Sequence, residues 1–245
     1  MNTHNYPGNE LSLFAQACNW KRYFARCLRS CLAGDVLEVG AGLGETTRFL
    51  CDGRQASWTC LEPDPKLAAQ LACTIAGLTS GVRVEVLPGT LADLPSGRGF
   101  DCILYMDVLE HIADDRAEMA LAGARLKPGG CLVVLAPAHM ALFSDFDRAI
   151  GHYRRYDRGM LRAVAPADLV EERLFYLDAV GMLCSLANRV LLRQAQPSLR
   201  SILFWDRVLV PVSRVVDVVI GHATGRSVVG VWRKPRATVP GKGST

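Results

Sequence analysis

The sequence has no run of about 18 uninterrupted apolar residues, so no membrane-spanning helix is expected. It has no Cys-x-x-C pair. Its nine cysteines are scattered and odd in number, which argues against a disulfide framework or a zinc ribbon. A large excess of charge of either sign is lacking: 28 Lys and Arg face 24 Asp and Glu, and no long basic stripe occurs. A net charge of +4 makes no demand for a nucleic-acid partner. The opening MNTHNYPGNE lacks a basic stretch followed by an apolar one, so no signal peptide is expected. Internal repeats and low-complexity linkers are absent as well. What remains is ordinary for a globular chain: 245 residues, half hydrophobic and 21% charged, enough for one α/β domain with a full core. Most cysteines lie in apolar runs and read as reduced, core-filling thiols of a cytoplasmic protein.

Patterning supplies the order of elements. Leu11 to Leu32 has helical spacing, and Gly34-Asp35 reads as a turn. Val36 to Val39 is a buried strand, and Glu45 to Cys51 a helix. SWTCLEPD is a second strand and PKLAAQLACTIAGL a helix with proline in its first turn. VRVEVLPG and FDCILYMDVLEHI give two more strands, DDRAEMALAGARL a helix, KPGG a turn, and CLVVLAPA a fifth strand. This alternation predicts a parallel sheet with helices on both faces. LVEERLFYLDAVG and VVGVWRK add a sixth and a seventh strand. The helix-like stretch between them, Met182 to His222, is expected to form a cap on the same domain. A single domain over 1–234 thus has an N-terminal helical cap (1–34), a core (35–138) and a third part (139–234), with a flexible tail at 235–245.

The first strand runs into VLEVGAGLGETTRFL, with Gly40, Gly42 and Gly44 at alternate positions before a helix. Glycines there let a ligand approach the backbone closely. A dinucleotide site wants G-x-G-x-x-G, but its third position here is Glu45, and Glu38 lies two residues before the first glycine. Carboxylates at both ends suit an ammonium and a sulfonium better than a pyrophosphate. Glu38 is therefore a candidate for an amino group, and Glu62, at the end of the second strand, for two ribose hydroxyls. Asp93 in GTLADLP either meets an adenine amino group or caps the turn before Pro95.

These segments, VLEVGAGLGETT, LEPD, FDCILYMDVLEHIADD and LKPGGCLVVLAPA, together resemble class I S-adenosylmethionine-dependent methyltransferases of a bacterial small-molecule subgroup. The resemblance covers roughly residues 35 to 138. It implies a Rossmann-like, seven-stranded, mostly parallel sheet with an antiparallel last strand, and S-adenosyl-L-methionine as cofactor. By resemblance, Glu38, Gly40, Gly42 and Gly44 bind the methionine half and Glu62 the ribose. Asp93 and Leu94 border the adenine, and Asp107 lies near the methionine half and the transferred methyl. One departure is Gly89-Thr90, where many relatives carry Gly-Asp.

The acceptor side is read from residue type. DFDRAIGHYRRY follows the fifth strand, at the carboxyl edge of the sheet where ligands bind. His152 is the candidate base and Asp147 its orienting carboxylate. Arg154 or Arg155 is placed to pair with an anionic group on a small-molecule acceptor, with Tyr156 and His111 at hand. No metal is expected, although Asp145, Asp147 and His152 are potential ligands. The reading is methyl transfer to an O or N atom. Its rivals are an NAD-dependent dehydrogenase, a nucleic-acid methyltransferase and a non-catalytic S-adenosylmethionine-binding partner protein. A further alternative is a lipid or glycolipid methyltransferase working at the membrane surface, for which the apolar Ile202–Ile220 stretch with isolated arginines is the candidate contact.

Overall fold

The computed structural model describes residues 10–76, 81–187 and 198–236. Seven strands form one sheet in the order β3-β2-β1-β4-β5-β7-β6. They are β1 (Gly34–Val39), β2 (Gln55–Glu62), β3 (Arg83–Pro88), β4 (Phe100–Met106), β5 (Leu126–Pro137), β6 (Val170–Leu177) and β7 (Ser227–Arg233). Neighbours pair in parallel except β7, which runs antiparallel to both β5 and β6. The central strands are apolar on both faces, as strands covered on both sides must be. Alternation sends Val36, Cys102, Leu104 and Val133 to one core and Leu37, Ile103, Tyr105 and Leu132 to the other.

The first core is covered by α2 (Cys18–Leu28), which buries Trp20, Tyr23, Phe24 and Leu28, with α1 (Glu10–Phe14) preceding it. The second is covered by α5 (Asp115–Arg125) through Met119 and Ala122, and by α7 (Arg158–Val164) through Leu161. The remaining helices are α3 (Thr47–Leu50), α4 (Pro65–Ala76), α6 (Asp145–Ala149), α8 (Ala179–Ala187), α9 (Leu199–Phe204) and α10 (Val210–Val219). A π-helical turn, Trp205–Leu209, joins α9 to α10.

Several boundaries differ from the sequence expectation. Gly34-Asp35 begins β1 instead of forming a turn. The Asp35 N–H donates to Asp101 Oδ2 at 2.8 Å, and Lys127 bridges the two carboxylates. The helix after the glycine turn shrinks to four residues. KPGG is absorbed into β5, with Gly129 at φ +83°. The last two residues of the expected helix PKLAAQLACTIAGL, part of the cap at 188–197, the segment 1–9 and the tail 237–245 lie outside the described residues.

The cap and the N-terminal helix are joined by buried carboxylates. α2 has no side-chain cap of its own. Asp206 supplies one from the far end of the chain, accepting from the N–H groups of Asn19 (3.2 Å) and Trp20 (2.8 Å) and from Asn19 Nδ2 (3.2 Å). Asp217 accepts from Tyr23 Oη (2.8 Å) and from the N–H groups of Asp178 (2.7 Å) and Ala179 (2.9 Å). Asp178 in turn accepts from Trp205 Nε1 (2.7 Å), Ser213 Oγ (2.6 Å) and the Gly181 N–H (3.0 Å).

Asp206→Ala strips three donors of a buried acceptor and uncaps α2. It is expected to lower unfolding free energy by about 2–3 kcal/mol. Urea unfolding checks this, and an unchanged midpoint would contradict the long-range cap.

Candidate active site

The carboxyl end of β1 turns back through Gly40 and Gly42, both with positive φ (+67° and +56°). A Cβ on Gly40 would sit 2.7 Å from Val108, so no larger residue fits. One on Gly42 would meet only Leu11 methyls at 3.9 Å, which leaves that side open to a ligand. Glu62, at the end of β2, fixes this turn. Its Oε2 accepts from the Gly42 N–H (2.8 Å) and its Oε1 from the Asp64 N–H (3.0 Å). Burial raises the Glu62 pKa, and these two amides pull it back down.

The turn opens into a cavity of about 260 Å³. One end is Gly40–Leu43. The floor is Met106 and Asp107. Aromatic side chains roof it: Phe14, Trp20, Phe24 and Trp205. The far wall is Glu110, His111, Asp147, His152 and Arg155, with Arg226 at the start of β7.

That wall is a connected network. Ser144 caps α6, and its N–H and Oγ donate to Asp147 Oδ2 (2.8 and 2.7 Å). Arg155 grips the same carboxylate with two bonds, Nε to Oδ1 (2.9 Å) and Nη2 to Oδ2 (3.0 Å). His152 Nδ1 lies 3.0 Å from Asp147 Oδ1. Burial pushes the Asp147 carboxyl up, but His152 and Arg155 more than offset this and hold it well below the usual carboxylate range. An ionised Asp147 places the His152 proton on Nδ1 and leaves Nε2 to the cavity side. There Nε2 is 3.9 Å from Glu110 Oε1.

Glu110 is fully buried, and neither carboxyl oxygen has a hydrogen-bond partner among the described residues. Burial, then the charge of Asp107, raises its pKa well above the ordinary value. Its surroundings therefore favour the neutral acid over the carboxylate. His111, packed edge-to-face on His152 at 4.5 Å, is held down to about 4 by burial and by His152, so it is neutral too. Asp107 has positive φ (+56°) and lines the cavity with its side chain exposed to solvent. The low-dielectric walls around it push its pKa up, against the pull of His152, Arg226, Lys21 and Arg155, and its exposed side limits that push.

Of the residues singled out in the sequence, Gly40, Gly42, Asp107, His111, Asp147, His152 and Arg155 line the cavity. The others do not. Glu38 lies below the turn, where its Oε2 accepts from Thr47 Oγ1 (2.6 Å) and Trp58 Nε1 (3.0 Å). Gly44 packs on α4, where a Cβ would meet Leu71 at 2.6 Å. Asp93 takes the capping alternative, accepting from the Thr90 N–H and Oγ1 (2.8 and 2.7 Å), and Leu94 is buried in the second core. Arg154 pairs with Asp115 and donates to the Ala113 carbonyl (2.8 Å). Tyr156 is fully buried, its hydroxyl donating to Asp115 Oδ2 (2.8 Å). Arg154 and Tyr156 thus fasten the start of α5 instead of facing an acceptor. Arg155 faces the cavity, but its fork is spent on Asp147.

Four cavity residues carried no functional signal in the sequence. Glu110 stood beside His111 in LEHI, a visible neighbour. Lys21, Trp205 and Arg226 reach the cavity only through the topology. Lys21 Nζ donates to the Phe14 carbonyl (2.6 Å), and the Arg226 guanidinium stacks 4.7 Å from the Trp205 ring centre.

Sheet order and glycine turn together define a Rossmann-like architecture. Residues 37–132, from β1 into β5, match the family described as methyltransferase domain. The chain is 29% identical over 153 residues to a demethylmenaquinone methyltransferase of Tropheryma whipplei (strain Twist), covering 62% of this chain and 60% of that protein. It is 33% identical over 100 residues to a ubiquinone biosynthesis O-methyltransferase of Xylella fastidiosa (strain 9a5c), 40% of each. The chain thus spans about 60% or less of the length of these two relatives. The N-methyltransferase NodS from Bradyrhizobium japonicum WM9, solved with S-adenosyl-L-homocysteine, shares the fold. Its TM-score is 0.59 at 15% identity, over 96% of this chain and 95% of that one.

The buried Glu38 has a consequence for stability. Burial lifts its pKa to about 7, while the unfolded chain keeps the ordinary value near 4.5. Between those values folding takes up a proton, so stability falls as pH rises from about 4.5 to 7 and is level beyond. Glu38→Gln keeps an acceptor for Thr47 and Trp58 but cannot ionise. It is expected to raise Tm over the parent at pH 8, by an amount worth up to about 3 kcal/mol, and to lose that advantage near pH 4. A pH-independent difference would contradict a neutral buried carboxyl.

Proposed function

We propose that this chain transfers a methyl group from S-adenosyl-L-methionine to an oxygen or nitrogen of a small acceptor. The observation that carries this reading is one cavity joining two unlike ends, a glycine turn braced by Glu62 and an acid–base wall centred on His152. The turn fits the cofactor: Gly42 is open to close approach, Asp107 lines the cavity as an acceptor for an ammonium, and Glu62 at the end of β2, buried behind the turn, is the acceptor nearest a ribose diol bound over Gly42. Two backbone amides leave Glu62 lone pairs for the diol. Asp107 takes the part first read for Glu38, whose carboxylate is occupied elsewhere. When bound, the cofactor supplies an electrophilic methyl on a sulfonium.

The chain's own residues orient the acceptor and take its proton. His152 Nε2 accepts the proton of the attacking group. Asp147 steadies the imidazolium through Nδ1, and Arg155 holds Asp147 in place. The aromatic roof favours an acceptor with an apolar body. Arg226 gives the cavity a cation for an acidic group on it, a part first read for Arg154 and Arg155. The relatives named for quinone biosynthesis support an acceptor of this kind. The nine unbridged cysteines fit a reducing compartment, and we place the protein in the cytoplasm. Among the described residues no helix is long and apolar enough to cross a membrane.

A second reading is favoured by one observation. Glu110, His111 and His152 each bring one ligand atom within 4.8 Å of the others, a donor set that suits zinc or a similar divalent ion. At 3.9 Å, however, His152 Nε2 and Glu110 Oε1 are wider apart than the roughly 3.3 Å of two ligands on one tetrahedral zinc. Proton transfer at His152 is the better fit.

His152→Ala is expected to cut turnover by about 10²–10⁴-fold while leaving S-adenosylhomocysteine affinity near the parent's. Turnover with a panel of phenolic and amine acceptors checks this, run with and without a chelator. Activity that survives in the variant refutes the base, and activity that the chelator abolishes and zinc restores favours the metal reading.

A further inference from the structure

Large apolar side chains on the surface are concentrated in one place. Of the thirteen exposed among the described residues, ten lie between Leu183 and Ile220, so the patch belongs to the cap and not to the surface at large. Phe204, Val208, Val212, Val215 and Val219 recur at helical spacing, and Val215, Val218 and Val219 are 66%, 68% and 79% exposed. Arg200, Arg207 and Arg214 follow at intervals of seven, all exposed. The only acids between residues 198 and 221 are Asp206 and Asp217. Both are turned inward and bonded to α2, Tyr23 and the amides at the start of α8. The outward face of α9 to α10 therefore carries apolar groups and positive charge with no acid. That charge pattern complements a negatively charged surface and disfavours self-pairing, which would set arginine against arginine.

The same element forms the cavity roof. Trp205 points its ring inward, edge-to-face with Phe14 at 6.3 Å, while its neighbours Phe204 and Val208 face out. From these observations we propose that the face formed by α9, the π-helical turn and α10 docks on an anionic lipid bilayer, lying in its interface, and that the acceptor is an amphiphile drawn from that bilayer. Arginines at the edge of an apolar stripe reach the headgroups while the valines enter the acyl boundary. The second clause rests on the proposed methyl transfer; the docking itself does not.

The test uses the full chain and vesicle sedimentation. Vesicles of phosphatidylcholine alone are compared with vesicles of phosphatidylcholine and phosphatidylglycerol in equal parts, at low and high salt. Binding is expected on the mixed vesicles, weakened by salt and by the lack of anionic lipid. Arg207→Glu with Arg214→Glu is expected to weaken it by at least about tenfold, and Val215→Glu with Val219→Glu to remove it. Both variants should keep the parent's Tm and S-adenosylhomocysteine affinity, because their side chains touch neither core nor cavity. No sedimentation with anionic vesicles overturns the docking, as does equal binding by the variants. So does a dimer in analytical ultracentrifugation that Val215→Glu dissolves. Loss of cofactor binding in the parent would instead sink the methyl-transfer reading and leave the docking result standing.

Discussion

The cavity depends on three buried carboxylates. Asp206 caps α2 from the opposite end of the chain, Asp217 receives Tyr23 and the start of α8, and Asp178 receives Trp205 and Ser213. Each is paid for in desolvation and repaid by two or three hydrogen bonds. Together they draw residues 14–24 and 199–219, distant in sequence, over the carboxyl edge of one sheet. Without them the glycine turn would face open solvent, and Phe14, Trp20 and Trp205 would have no common roof to form.

Enclosure then sets the electrostatics. Burial favours the protonated form of Glu110 and the neutral form of His111. Only Asp147 goes the other way, because Arg155, His152 and Ser144 all converge on it. Two neighbouring carboxyls are thus pushed in opposite directions, Asp147 down and Glu110 up. The carboxylates around the turn also explain why a pyrophosphate is poorly matched here, since donors and positive charge are what it needs.

The seven strands and their succession along the chain were legible because each strand is a short apolar run ended by a turn residue, and the antiparallel last strand followed from the resemblance. Boundaries were less so. Gly34-Asp35 reads as a turn locally, and only Asp101 and Lys127, far along the chain, hold it in a strand. At the site, Gly40, Gly42, Asp147 and His152 were visible through spacing and residue type. Arg154 and Tyr156 have the same residue chemistry as their neighbours, but alternate positions in an extended segment face opposite ways, and these two turn towards Asp115. Arg226 has no local signal: β7 brings it to the cavity after an insertion of some fifty residues. Glu38 shows the same limit, since a carboxylate two residues before a glycine turn says nothing of the Trp58 and Thr47 donors beneath it.

The central claim is that the glycine turn braced by Glu62 receives an adenosyl-methionine ligand and not a dinucleotide. Titration calorimetry of the purified chain with S-adenosyl-L-homocysteine and with NAD tests it most directly. The structure predicts saturable binding of the former at one site per chain and no heat beyond dilution for the latter. Binding of NAD without binding of S-adenosyl-L-homocysteine would contradict it.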